Sequence, residues 1–361
     1  MGPNVNVDLM SPDGGQGELA ARMGNGGLNI GQMRPFIDKK GRSCVTVYQG
    51  GDPSNANSWK TLQANAKGTL RRDEWKALDE TLLTIKEQRL TGTQHLINSG
   101  LTYTLGNAMG TTVLEYHDSG DSLTAELSMD AVSRAENDRQ EFSSVYLPIP
   151  IIHVDYSINQ RGLEASRRLG NPLDVSQAER AGRRVMEKQE SMLFADQSYK
   201  FGGGTIYSFL NFPSRIPNTI LDWSDTANTG KDIIDDVLEM KQAAIDKFFY
   251  GPYTVFIPTN FETRLDQDYA DAKGDNTIRE RILKINNIDD IIVVDELPDS
   301  EVVMVQKTTD VVRIVQGLAM QNIQWSSEGG FVNKFKVISI QVPQLRADQN
   351  GNTGIVHGTT T

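Results

Sequence analysis

The chain has 361 residues, 38% of them hydrophobic, and 36 Lys and Arg against 47 Asp and Glu give a net charge of −11. That balance argues against a protein that coats nucleic acid over its whole surface. Cys44 is the only cysteine, which excludes an intramolecular disulfide and fits a reducing cytoplasm; no stretch approaches the ~18 apolar residues of a membrane helix, and residues 1–31 lack the cationic start and apolar core of a signal peptide.

Residues 1–34 are rich in Gly, Asn and Met with no apolar period, and read as an extended or mobile arm. Residues 43–48 alternate and are β-branched, so they read as a strand. The stretch 39–72 carries seven bases against Asp52 alone: either a solvated face or a contact with acidic surface. From residue 72 to 100, Trp75, Leu78, Leu82, Ile85, Leu90 and Leu96 keep a broken helical spacing that Gly92 weakens.

Residues 111–116 are strand-like, 118–121 form a turn, and 122–129 alternate as a half-buried strand does. A further extended run begins at Ser143. Residues 110–147 therefore read as a long hairpin that leaves the globule and returns. Between 115 and 141 it holds eight acids, Glu115, Asp118, Asp121, Glu126, Asp130, Glu136, Asp138 and Glu141, against Arg134 and Arg139. A long hairpin with few apolar residues needs a partner surface.

The spacing predicts a long helix over 174–198, capped by Asp174 with Gln177 at the capping-box position. Val175, Ala178, Gly182, Val185, Met186, Gln189, Met192 and Leu193 line one face, and Glu179, Arg180, Arg183, Arg184, Glu187 and Lys188 the other. Residues 201–204 are a hard break without the Gly-Lys-Ser/Thr of a phosphate loop. Thr229 caps a second helix, which Gly251-Pro252 stops. The next stretch of chain reads as an α/β unit. Its strands are 253–257, 291–294, 302–305 and 311–315, and its short helices start at the capping boxes Thr259/Glu262 and Thr277/Glu280. Residues 331–342 form a long strand, and 348–361 a Gly- and Asn-rich tail.

The order of these parts, with Leu147-Pro-Ile-Pro-Ile-Ile, Asp155-Tyr-Ser-Ile, Arg161-Gly-Leu, Leu173-Asp174, Ala178, Ala181, Glu187, Glu190 and Phe194, then Gly251-Pro-Tyr253 before an apolar strand, resembles the major capsid proteins of tailed bacteriophages with the Hong Kong 97-type fold, and within them the encapsulin-like group. The likeness covers about 70–345; residues 1–70 look more like a phage arm. The resemblance implies an α+β fold with an amino-terminal arm (1–72), an amino-terminal helix region (73–105), an extended hairpin or E-loop (106–146), a peripheral domain on the spine helix (147–250 with 318–345), an axial domain (251–317) and a tail (346–361). It implies a structural protein: many copies forming pentamers and hexamers of an icosahedral shell around double-stranded DNA, with portal and scaffold or cement proteins as partners, no membrane, and a location in the virion. The other reading within the resemblance is an encapsulin, a shell storing protein cargo. Some relatives weld subunits through a hairpin lysine; this chain has none between Lys86 and Lys188.

No enzyme motif competes. His95, His117, His153 and His357 lack metal-ligand spacing, and no His-Glu-x-x-His or Gly-x-Ser-x-Gly occurs. No catalytic residue, metal site or cofactor is expected. The charge pattern instead predicts two assembly surfaces. The first pairs hairpin acids Glu115, Asp118, Asp121, Glu126 and Asp130 with Arg167, Arg168, Arg180, Arg183 and Arg184 of a neighbouring copy. The second is an acidic loop at the capsomer axis, Asp266, Asp268, Asp271 and Asp275.

Overall fold

A computed structural model describes residues 36–48, 59–63, 70–89, 91–119, 142–169, 175–269, 276–327, 332–348 and 350–360. The arm 1–34 and the hairpin tip, including the strand expected at 122–129, lie outside the described residues.

The segment expected as an arm contains a small sheet. Strands β1 (Phe36–Ile37), β2 (Ser43–Tyr48), β3 (Trp59–Gln63) and β4 (Leu70–Arg71) order as β3-β2-β1-β4. Helix α1 (Arg72–Arg89) opens with Asp73 and Glu74, acids at the positive end of its dipole, and buries Trp75, Leu78 and Leu82. The single helix expected over 72–100 is two. Helix α2 (Thr91–Asn98) turns off so that Gly92 can lie under the Phe194 ring, where a Cβ would stand 2.4 Å from the ring.

Strand β5 (Thr102–Thr104) leads to the root of the long hairpin, β6 (Val113–Ser119) and β7 (Phe142–Pro148), paired antiparallel from Val113–Pro148 to Ser119–Phe142. Asp118, expected in a turn, is still within β6. Strand β8 (Ile152–Asn159) and helix α3 (Gln160–Leu169) follow.

The spine is helix α4 (Ser176–Phe194), shorter than the expected 174–198. Val175 occupies the cap position without a side-chain cap bond, and Asp174 lies outside the described residues. The helix stops because Ala195 turns extended and the Phe209 amide takes the Leu193 carbonyl. Its apolar face is as the period predicts. Ala181, Val185 and Met192 pack into one core with Val337, Ile340 and Val342, Leu193 and Phe194 into a second, and Ala178 into a third with Trp75, Leu163 and Phe335. The hard break after it is a tight hairpin of β9 (Tyr199–Phe201) and β10 (Gly204–Ile206). Gly202 and Gly203 both have positive φ, as a two-residue turn of this hand requires.

Strand β11 (Ile216–Ile220) precedes α5 (Gly230–Ile245), whose predicted Thr229 cap is present as a capping box with Asp232. Strand β12 (Tyr253–Ile257) is wholly buried. Helix α6 (Thr259–Leu265) is capped by Pro258 without a side-chain bond, so the Thr259/Glu262 box does not form: Thr259 is already inside the helix. Helix α7 (Ile278–Leu283) does use Thr277, whose side chain accepts from the Glu280 amide. Strands β13 (Ile288–Val293) and β14 (Glu301–Gln306) come next, then two long strands, β15 (Val312–Ser327) and β16 (Val332–Leu345). The strand expected at 311–315 thus runs far past the boundary placed at 317.

The expected tail holds another strand, β17 (Ile355–Thr360), inside a five-stranded sheet of order β11-β17-β14-β12-β13. Ile355 and Val356 are buried. His357 accepts at Nδ1 from Arg215 Nε (3.1 Å) and bonds through Nε2 to Glu301, which also accepts from Thr359. This sheet takes β11 from the stretch assigned to the peripheral unit. A second sheet, β5-β15-β16-β8, lies against the spine. Phe194, fully buried, joins the two halves. Its ring meets Phe209 at 5.5 Å and Phe256 of β12 at 5.0 Å, edge to face.

Phe194→Ala should therefore cost about 3–5 kcal/mol, the usual toll of emptying a buried aromatic site. Urea unfolding followed by circular dichroism measures it; a loss below about 1 kcal/mol contradicts the assigned role.

Candidate functional site

The root of the hairpin approaches the body most closely at Gly204. The carbonyl of Tyr146 in β7 approaches Gly204 so closely that a Cβ there would stand 2.1 Å from the oxygen. Only glycine fits. Around this contact, Tyr146, Ile151, Tyr199 and Phe201 are exposed aromatic or aliphatic groups. A second exposed set comes after α5: Phe248, 77% exposed and held at φ 68°, and Tyr250. Positive φ is unusual for a bulky residue. Composition did not single these residues out, although the run Phe248-Phe249-Tyr250 ahead of a Gly-Pro break was a visible signal.

The predicted basic face is present but partly spent. Arg183 pairs with Glu179 of its own helix at 3.3 Å, and Arg184 with Glu187 at 2.8 Å. Arg168 and Arg180 are exposed; the Arg167 side chain is outside the described residues. Glu115 is exposed on β6. Asp121, Glu126, Asp130 and the Asp118 side chain are outside the described residues. On the predicted acidic loop, Asp266 is already bonded to Arg279 at 2.8 Å, and Asp268 is exposed beside a bridge to Thr277. Asp271 and Asp275 lie outside the described residues. Among the described residues, Arg183, Arg184 and Asp266 are each paired with a near neighbour of their own copy.

Sequence reasoning did not identify Glu190 and Asp236 as buried acids. Glu190, on the buried face of α4, accepts from the Gly92 amide at 2.9 Å. Burial pushes its carboxyl up to about 7, bonds from the Gly92 and Thr93 amides pull it down, and nearby Glu296 adds repulsion. Its Oε2 is buried with no hydrogen-bond partner. Burial therefore favours the protonated group, although the bonds that tie it to α2 favour the carboxylate. Among the described residues there is no cluster of three His, Cys, Asp or Glu able to hold a metal, and no helix long and apolar enough to cross a membrane.

The folded pKa of Glu190 lies above the unfolded one, so its contribution to stability is fully present below about pH 4.5 and is lost as pH rises through about 7. Glu190→Gln keeps the acceptor for Gly92 and removes the charge. Relative to wild type, it should gain up to about 3 kcal/mol at pH 8 and little at pH 4.5. Denaturant melts of both proteins between pH 4.5 and 8 check it; a pH-independent difference refutes it.

Comparison with known proteins gives the same architecture. Two solved structures share the fold. One is a virus-like particle from Pyrococcus furiosus: 17% identity, 79% of this chain and 98% of that one, TM-score 0.56. The other is the capsid of Myoviridae Phage XM1: 10% identity, 76% and 94%, TM-score 0.56. Among curated proteins, the chain is similar to the type 1 encapsulin shell protein EncA of Myxococcus xanthus (strain DK1622), 23% identical over 207 residues, covering 57% of this chain and 67% of the relative. It is also similar to a diheme-cytochrome-encapsulin shell fusion protein of Kuenenia stuttgartiensis, 21% identical over 238 residues, covering 64% and 60%. The chain thus spans only about three-fifths of that fusion protein. A profile described as "Family of unknown function (DUF6260)" matches residues 64–358, from ahead of β4 into β17. That match takes in both sheets, the spine and the hairpin root, and the chain belongs to this family, built on the Hong Kong 97-type capsid fold.

Proposed function

We propose that copies of this chain assemble into a closed icosahedral shell, the head of a tailed phage, around double-stranded DNA. The observation that carries the reading is the hairpin. Among the described residues, β6 and β7 pair only with each other and β7 lies close against Gly204, and the acid-rich sequence that continues them holds few large apolar residues. Such an element is ordered by burial against another copy. The residues ahead of α1 support the phage reading, because their small sheet is an addition to the spine-and-hairpin body. Portal and scaffold or cement proteins are the expected partners.

The second reading is a protein-storing compartment, favoured by the encapsulin shell proteins among the relatives. Electron microscopy of particles from expressed protein, with their nucleic-acid content after nuclease treatment, separates the two. Protected DNA in a large shell supports the head; a small closed shell holding an enzyme supports the compartment. Failure to form any closed particle rejects both.

The charge pattern gives a sharper test. Hairpin acids meeting the spine arginines of a neighbour are each worth at most about 1 kcal/mol, but the contacts repeat around the shell. Reversing Arg183→Glu and Arg184→Glu should leave a folded chain that does not close into shells. Adding Glu126→Lys and Asp130→Lys should recover part of the assembly, and 1 M salt should weaken the wild-type contact. Normal assembly of the first variant at low salt eliminates this contact. Boiled particles should run as one monomer band on a denaturing gel, because the hairpin carries no lysine to weld; a ladder of multimers contradicts that.

A further inference from the structure

Two arginines at the end of the β5-β15-β16-β8 sheet stand close together without an acid. Arg313 lies near the start of β15, directly across from Gln344 of β16. Two positions on, Val315 pairs with Tyr103 of β5, so Arg313, Gln344 and Tyr103 share one face. The Arg313 guanidinium sits over the Tyr103 ring, 4.6 Å from its centroid, and donates through Nε to Gln344 Oε1 at 2.5 Å. Arg346, just past the end of β16, places its guanidinium 5.8 Å from the ring centroid of Tyr116, in the hairpin root.

The donors here outnumber the acceptors. Gln344 is fully buried and its Nε2 has no partner; the Nε of Arg346 is likewise buried and unpaired. Among the described residues, neither guanidinium has a carboxylate within 4.0 Å. Asp310 acts on Arg313 only at longer range, and Asp348 spends its oxygens on Asn352. Burial holds Arg313 below the usual guanidinium range, and repulsion from Arg346 adds to this. Partly buried like charges with spare donors are costly unless an anion joins them.

We propose that Arg313, Arg346 and the Gln344 amide form a carboxylate-binding site, filled in the assembly by an Asp or Glu side chain of a second copy. This rests on the assembly reading above. The Tyr103 and Tyr116 rings hold the two guanidiniums, whose planar forks suit a flat, two-oxygen group. A second copy is the acid-rich candidate, because each copy carries 47 acids. Tyr116 belongs to the hairpin, so filling the site also stiffens the hairpin root.

The test uses the full chain and two double variants, Arg313→Gln with Arg346→Gln, and Arg313→Lys with Arg346→Lys. The melting temperature of unassembled protein is measured in citrate and in chloride at matched ionic strength. The critical concentration for assembly is measured by light scattering. Citrate should raise the wild-type melting temperature and leave the Gln variant unmoved. The critical concentration should rise about tenfold in the Gln variant, and less in the Lys variant, which keeps the charge. A wild type indifferent to citrate overturns the site. A folded Gln variant that assembles like wild type overturns the second copy as its occupant, and if that variant has also lost retention of double-stranded DNA in a gel shift, the ligand is phosphate instead. If the wild type forms no particles, the assembly reading fails, while a retained citrate response still establishes the anion site.

Discussion

The structure depends on one aromatic junction. Phe194 ends the spine helix against Phe209 and Phe256, which stack on each other at 5.9 Å, while Gly92 presses on the Phe194 ring from α2. The core around that junction draws on both large sheets, Val312, Ile314 and Leu345 from the four-stranded one and Phe256, Val303 and Val305 from the five-stranded one. Glu190 lies buried one turn earlier on the same helix. A buried acid so close to the hinge makes the relation between α2 and the spine sensitive to proton concentration, whereas the aromatic packing itself is not.

Much of this was legible in the chain. The spine's apolar face keeps a 3.6 period, so its burial could be read directly, and Tyr253-Thr-Val-Phe-Ile257 could only be a buried strand. The ends of elements were less legible, because they are set by partners far away in sequence. The spine stops at Phe194 since Phe209 claims its carbonyl neighbour, and no local residue announces that. Residues 348–361 read as a tail because Gly and Asn punctuate 350–354; 355–360 are a strand because β11 and β14 offer hydrogen bonds on both sides. Local composition carries no record of such pairing.

The candidate surfaces divide in the same way. Lopsided charge was visible, but so were the Glu179–Arg183 and Arg184–Glu187 spacings, and these near pairs leave less of the charge free for a neighbour. Arg313 and Arg346 were invisible as a pair. They meet only because the β15–β16 register sets Arg313 opposite Gln344 and the chain carries Arg346 two residues further. Exposed Phe248 likewise gains meaning only from its positive φ, a backbone property that composition cannot supply.

The placement of β17 has a consequence for synthesis. Ile216 of β11 pairs with Val356, and Met304 of β14 pairs with that same residue from the other side. The place between β11 and β14 therefore stays vacant until residues 355–360 have left the ribosome. Until then β11 and β14 present unsatisfied edges, and the segment between them cannot reach its native packing. Completion of this sheet thus waits on translation of β17. The same vacancy exposes nascent chains to mispairing, so the interval before β17 arrives is when this protein would most need protection from aggregation.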